Sequence, residues 1–329
     1  MSIFLQRMSG NERLIYFSSQ VIEARIIHPT NCYGGHYMTK GILVALIATT
    51  LSFSTAFSCD EHGRGGFAPE NNLKIEIGDK AANNMTKELF LAAIEKVSTI
   101  YAPIVKEKGG NLVMNNRWDD ATVNASAQQS GKTWQVNMYG GLARHPLVTV
   151  DGFQMVVCHE LGHHIGGAPR KGGFGSAWAS NEGQSDYWAG LKCMRRVFEK
   201  EDNIAIVSKM DVDSEAVIKC KATYKSESEI ALCKRISMAG KSLAMLLGEL
   251  GGNSNVKFTT PDLSKVSSTN DNHPAAQCRL DTYFQGALCD KAVSDDVDGK
   301  DALKGVCLKK DGYAIGPRPF CWYKPGSNE

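Results

Sequence analysis

The sequence predicts an α+β protein that is mainly helical, with a small N-terminal sheet, a motif-bearing helix after it and a helical C-terminal half. Three observations predict it. Apolar residues recur at helical spacing over 86–108, short alternating runs follow between 111 and 139, and helical patterns dominate from 152 to about 250. With 43% hydrophobic residues in 329, the chain can bury a proper core and does not read as disordered. Its formal charge of +2 gives no electrostatic case for nucleic acid or an acidic membrane surface as partner.

Residues 1–58 are set apart from the fold. Met38-Thr39-Lys40, the apolar run 41–53 and Ala56-Phe57-Ser58 have the layout of a secretory signal: a short cationic start, an apolar middle and small residues at −3 and −1. Residues 1–37 are then an upstream extension, with Met38 as the alternative start. A retained transmembrane anchor is the competing reading. Thr49, Thr50, Ser52, Ser54 and Thr55 interrupt the stretch, and its unbroken apolar part is short for a bilayer. A lipid anchor on Cys59 is a further alternative, against which stand Ala56 where Leu is usual and Phe57 where a small residue is usual. The exported chain is a single domain, 59–329, periplasmic, lipid-anchored at the outer membrane or secreted, with no integral span. Eight cysteines follow Cys59, at 158, 193, 220, 233, 278, 289, 307 and 321. An even number in an exported chain predicts disulfides, while their pairing is not legible. No Cys-x-x-Cys pair occurs, which argues against a zinc ribbon or a thioredoxin-like redox site.

In chain order, 59–84 reads as a linker or first loop. Leu89, Phe90, Ala93, Ile94, Val97, Ile100, Tyr101 and Ile104 form the apolar stripe of the first helix, in which Pro103 predicts a kink or a second piece; Gly109-Gly110 ends it. Strands are predicted at 111–118, 121–128 and 133–139, with a turn at 129–132. The last strand, directly before the motif helix, is expected to be the sheet edge that holds an extended peptide by main-chain pairing, with a strand of no functional edge as the alternative. The motif helix, 152–165, buries Phe153, Met155, Val156, Val157, Leu161 and Ile165. Gly162 inside it costs about 1 kcal/mol relative to Ala, a cost matched to close approach of a neighbouring helix. Gly166-Gly167 stop it. Ser180 is the expected N-cap of the next helix, which ends near Phe198. Helices follow at 203–221 and 227–250, and another from Pro274. The cysteine-containing tail, 293–329, is expected to be stapled rather than core-forming. Cys158, on an apolar helix, reads as a buried thiol or disulfide partner rather than a catalytic group.

The chemistry sits in His159-Glu160-Leu161-Gly162-His163. Two histidines four residues apart lie about 40° apart around a helix, so both rings leave one face one turn apart. That geometry suits two positions of tetrahedral zinc, with Glu160 beside them as general base. Ser180-Asn181-Glu182-Gly183-Gln184-Ser185-Asp186 supplies Glu182 as third ligand and, one turn on, Asp186 to receive an N–H from a ligand histidine and fix its tautomer. His164 lies 100° around from His163 and reads as a non-ligand. His273 at a helix start meets the positive end of the dipole, which favours the neutral ring. Such a ring ligates zinc or donates to an oxyanion, and a plain N-cap is the alternative. Arg279 either orients a scissile carbonyl or anchors its helix by a salt bridge. Tyr139, Tyr187 and Tyr283 are further oxyanion candidates against a core reading.

These motifs resemble the gluzincins. His-Glu-x-x-His followed by Asn181-Glu182-x-x-Ser185-Asp186 is close in spacing to thermolysin. His273-Pro274-Ala-Ala-Gln-Cys-Arg279 is similar to the His-Pro-x-x-x-x-Arg segment of the family that includes HtpX, the BepA-type proteases and the CAAX prenyl endopeptidases. The resemblance implies a zincin-like fold, zinc as cofactor, a protein or peptide substrate and an approach of His273 to the metal. The chain differs from those relatives in showing no transmembrane helix after residue 58, and in a shorter interval between the second histidine and the glutamate. The reading is an exported zinc-dependent endopeptidase. The alternative is an envelope quality-control factor that binds misfolded proteins, with slow or gated proteolysis. A structural zinc protein is a weaker third, because structural sites are usually cysteine-rich and closed.

Overall fold

The computed structural model describes residues 66–172 and 178–326. The expected signal, 1–58, and Cys59 lie outside those residues. Helix α1, Lys87–Glu107, is capped by the Thr86 side chain, which accepts from the Leu89 amide, and buries Phe90, Ile94, Val97, Tyr101 and Val105. Pro103 lies inside it without starting a second piece. Tyr101 and Val105 flank the proline and are buried in the same core as Val97, so packing overrides the lost backbone bond.

The sheet contains β1 Asn111–Arg117, β2 Ala125–Ser130 and β3 Thr133–Tyr139, in the order β1-β3-β2. β2 and β3 form an antiparallel hairpin pairing Ser130 with Thr133, and Gly131 takes a positive φ of 56° in the two-residue turn. β1 pairs parallel to the other side of β3. The expected edge strand is therefore the central one, and β1 and β2 are the edges. β2 also starts later than its alternating pattern, because the backbone of Ala121 and Val123 is used by the stretch Leu73–Ile75 instead: Ile75 donates to Ala121 and Val123 donates to Leu73.

A short helix α2, Gly140–Arg144, leads to α3, Val150–Ile165, whose Thr149 cap accepts from the Gly152 amide. α3 is buried at nearly every position and forms the centre of the core. α4, Glu182–Trp188, passes through a π-turn, Ala189–Cys193, into α5, Met194–Phe198. Its cap is Asn181, which accepts from the Gln184 amide, and not Ser180, whose hydroxyl is spent on the Gly167 carbonyl. The expected helix 203–221 is two, α6 Asn203–Val207 and α7 Ser214–Thr223, because Asp213 starts α7 by accepting from the Glu215 amide. α8, Glu227–Leu250, matches its expected span. α9, Ala276–Leu288, begins two residues after Pro274, leaving His273 on the approach with its ring tied to the Gly66 carbonyl.

All eight cysteines after Cys59 pair: Cys158–Cys193 joins α3 to the π-turn, Cys220–Cys233 joins α7 to α8, and Cys278–Cys321 and Cys289–Cys307 staple the tail to α9 and its end. The tail also enters the core, contrary to expectation. Trp322 is fully buried, and its ring lies where a Cβ on Gly183 would be, 2.2 Å away. No helix among the described residues is long and apolar enough to cross a membrane. A methyl at position 183 cannot fit without moving a rigid indole, so Gly183→Ala should destabilise the fold by about 1–3 kcal/mol in urea unfolding.

Candidate metal centre

The cluster forms where the C-terminal half of α3 meets the first turn of α4. The four-residue spacing puts His159 and His163 on one face of α3. The Asn181 cap places Glu182 first in α4. Gly162 lets the two helices close: a Cβ there would stand 3.2 Å from Ser185 Cα and 3.2 Å from the Trp188 ring, which accounts for a glycine in mid-helix. One ligand atom each from His159, His163 and Glu182 then falls within 4.8 Å of the others, and all three residues are buried.

Both rings are held from behind. Asp186 Oδ1 lies 2.7 Å from His159 Nδ1, and the Ser180 carbonyl lies 2.8 Å from His163 Nδ1, so each Nδ1–H donates outward and each Nε2 lone pair faces the cluster. Ser185 Oγ also approaches His163 Nδ1 at 3.1 Å. His159 Nε2 and Glu182 Oε2 face each other at 3.2 Å, yet neither has a hydrogen-bond partner, and neither has either oxygen of Glu160. His163 Nε2 is 3.7 Å from Glu182 Oε1. Buried acceptors aimed at one point without a proton between them are costly unless a cation lies among them. Two imidazoles and one carboxylate fit the three-ligand, open form of a zinc site.

The electrostatics agree. Burial pushes the Glu160 carboxyl up to about 8, so near neutral pH it is free to accept a proton only when a cation beside it draws that value back down. It also drives the His163 ring down to about 3, so that this imidazole is neutral. Burial acts to lower His159 as well, but Asp186 and Glu182 outweigh it and take that ring up to about 9: the carboxylates call for positive charge between them, a proton on Nε2 or a cation in its place. Against its own burial, Glu182 is held well below the usual carboxylate range by Lys171 first, then by His273 and His163.

Behind Asp186 lies a fully buried network. Arg279 donates through Nε and Nη2 to Asp186 at 2.6 and 2.8 Å and through Nη1 to the Phe67 carbonyl at 2.6 Å, and Tyr283 donates to Asp186 at 2.5 Å. Arg279 is thus the anchoring salt bridge of the two roles expected for it. Its guanidinium is committed within the protein rather than offered to a substrate carbonyl. His273 comes within 3.4 Å of Glu182 Oε2, but its Nε2–H is donated to the Gly66 carbonyl at 2.6 Å. His164 stays out of the cluster, its Nε2 on the Gln135 carbonyl and its ring stacked against Trp134 and Trp178. Tyr187 donates to the Gly316 carbonyl, away from the cluster, and Tyr139 is raised chiefly by burial, with the Glu160 carboxyl a minor contribution.

Two participants carried no sequence signal. Lys171, in the Gly-rich loop, reaches Glu182 Oε1 at 2.8 Å. Phe67 lies edge-on to His159, 5.3 Å between ring centroids, with its amide donating to Ala125 of β2. Neither belongs to a periodic stretch or a ligand spacing, so only tertiary proximity reveals them. Compared with protein-family models, with curated proteins and with solved structures, the chain shows no match.

Removing one partner of the Asp186–Arg279 pair strands a buried charge. Arg279→Met should therefore cost about 3–5 kcal/mol in urea unfolding, and Tyr283→Phe, which leaves the ion pair whole, about 1–3 kcal/mol.

Proposed function

We propose that the protein is an exported, zinc-dependent endopeptidase with a zincin-like arrangement of its motif helices. One observation carries the reading: His159, His163 and Glu182 converge, with His159 Nε2 and Glu182 Oε2 orphaned, beside a Glu160 whose two oxygens are equally unpartnered. Zinc held by those three residues would supply Lewis acidity, polarising a peptide carbonyl and making water acidic enough to ionise near neutral pH. The rest of the chemistry belongs to the chain. Glu160 takes a proton from the attacking water and returns it to the leaving amine. Asp186, fixed by Arg279 and Tyr283, and the Ser180 carbonyl keep the two ligand rings in the tautomer that turns Nε2 inward. His273, on releasing the Gly66 carbonyl, has an N–H to offer a developing oxyanion. β2, as an edge strand beside α3, is where an extended peptide would pair. The motif resemblance to gluzincins points the same way, and four disulfides suit an oxidising compartment.

A second reading, a quality-control factor with gated proteolysis, draws on a different observation. The cluster is closed: His159 and Glu160 have no exposed surface, and Phe67 packs over it while its amide takes up the Ala125 carbonyl of β2. Lys171 and His273 also crowd Glu182. Access would then require Gly66–Ala68 to move aside.

Elemental analysis of the purified exported chain should find zinc, and casein cleavage should disappear on chelation. Glu160→Gln should keep the metal while kcat falls by roughly 10²–10⁴. A Gln variant as fast as the parent, or a chain without metal, refutes the reading.

A further inference from the structure

Residues 66–68 reach the cluster from the β2 side and are buried, Phe67 completely. We propose that Gly66-Phe67-Ala68 is an autoinhibitory strap: it fills the seat of an extended peptide beside β2, and a peptide substrate must displace it. The regulatory consequence rests on the peptidase reading, whereas the seat rests on the strap's own contacts. The three side chains carry no polar atom, so the polar contacts all come from main chain. The Phe67 amide donates to the Ala125 carbonyl at 2.9 Å, and the Ala68 amide donates to Asn124 Oδ1 at 2.9 Å. In return Asn124 Nδ2 donates to the Ala68 carbonyl at 3.2 Å, Arg279 Nη1 to the Phe67 carbonyl at 2.6 Å and His273 Nε2 to the Gly66 carbonyl at 2.6 Å. Main-chain bonding of this kind reads no sequence, so another extended segment can take it over. The one side-chain contribution is the Phe67 ring, edge-on to His159 at 5.3 Å, with the Arg279 guanidinium 4.6 Å from its centroid.

The strap is built to leave. It belongs to no helix or strand, and the residues after it, Pro69, Glu70, Asn72 and Leu73, are exposed. Anchoring resumes only at Ile75, whose amide donates to the Ala121 carbonyl at 2.9 Å and whose carbonyl accepts twice from Arg144 at 3.0 and 2.9 Å. An exposed connection between a docked end and an anchored stretch lets the end open without disturbing the anchor. Gly66 sets how closely the strap docks, since a Cβ there would stand 1.9 Å from the Ala125 carbonyl oxygen and 2.7 Å from Asn124 Oδ1. A backbone oxygen does not yield as a flexible side chain would, so the docked position requires glycine. The seat itself does not depend on that glycine, because its groups belong to β2, to α9 and to the residues that lead into each. When the strap lifts, only the Nη1 arm of Arg279 loses its partner, and Nε and Nη2 stay on Asp186.

Two substitutions in the full exported chain unseat the strap without altering the cluster. Gly66→Ala drives a methyl into the Ala125 carbonyl and should speed casein cleavage roughly five- to a hundredfold. Phe67→Ala removes the ring from His159 and should act in the same direction. A second measurement needs no hydrolysis: a labelled peptide of residues 65–70 is titrated by fluorescence polarisation into chains carrying Glu160→Gln. With Gly66→Ala added, the peptide should bind roughly five- to a hundredfold more tightly than to Glu160→Gln alone, where the built-in strap holds the seat. The same peptide with Ala in place of Phe should bind more weakly. Near-UV circular dichroism that matches the parent shows that each variant is folded. Tighter peptide binding without any casein cleavage refutes the peptidase reading and keeps the seat. Active chains whose cleavage is unchanged by Gly66→Ala, or an unchanged peptide affinity, overturn the strap and leave the peptidase reading standing. Loss of the fold in both variants makes 66–68 part of the core and overturns the strap as well.

Discussion

Asp186 and Arg279 are both completely buried and meet through two charge-assisted hydrogen bonds, and the geometry of the His159–His163–Glu182 cluster hangs from that contact. The pair joins α4 to α9. Asp186 passes the constraint to the His159 ring, and Arg279 passes it to the Phe67 carbonyl. Neither charge is tolerable alone in such a place, since desolvating one ion costs several kcal/mol before any partner repays it. The network is complete because Tyr283 fills the remaining demand on Asp186. Its consequence is orientation: a ring that must donate from Nδ1 can present only Nε2 to the cluster.

Close approach of backbones is the second constraint. Gly162 admits Ser185, Gly183 admits the Trp322 ring, and Gly190 and Gly286 let the π-turn meet α9, where a Cβ on Gly190 would stand 2.8 Å from the Tyr283 carbonyl. Each would be expensive in an isolated helix. Here each lets two packed elements approach more closely than a side chain would allow. The Cys158–Cys193 bridge, one residue before His159 in sequence, ties α3 covalently to the π-turn that continues α4.

Much of this was legible along the chain. Residues in regular elements announce themselves by periodicity, and so α1, α3 and α8 were readable to within a residue or two, as was the hairpin turn at Gly131. The convergence of His159, His163 and Glu182, with Asp186 behind them, was readable because four residues between His159 and His163 and four between Glu182 and Asp186 are each one helical turn. Competition between equivalent local signals was not readable. Ser180 and Asn181 are both good caps, and the choice fell to Asn181 once the Ser180 hydroxyl was taken by Gly167. The position of β3 in the sheet depended on β1 arriving parallel on its far side, which no alternation pattern encodes.

The sequence by itself determined which residues share a helical face, and with them the donor types of the cluster and their inward direction, because helix geometry converts a spacing into an angle. Tertiary structure alone decided what surrounds them: that Arg279 serves Asp186, that His273 is tied to Gly66, that Lys171 and Phe67 reach the cluster, and which cysteines pair. Those contacts join residues up to about two hundred positions apart. Over such separations no local rule relates sequence to distance, and the outcome is set by how buried charges, rings and backbones pack at once.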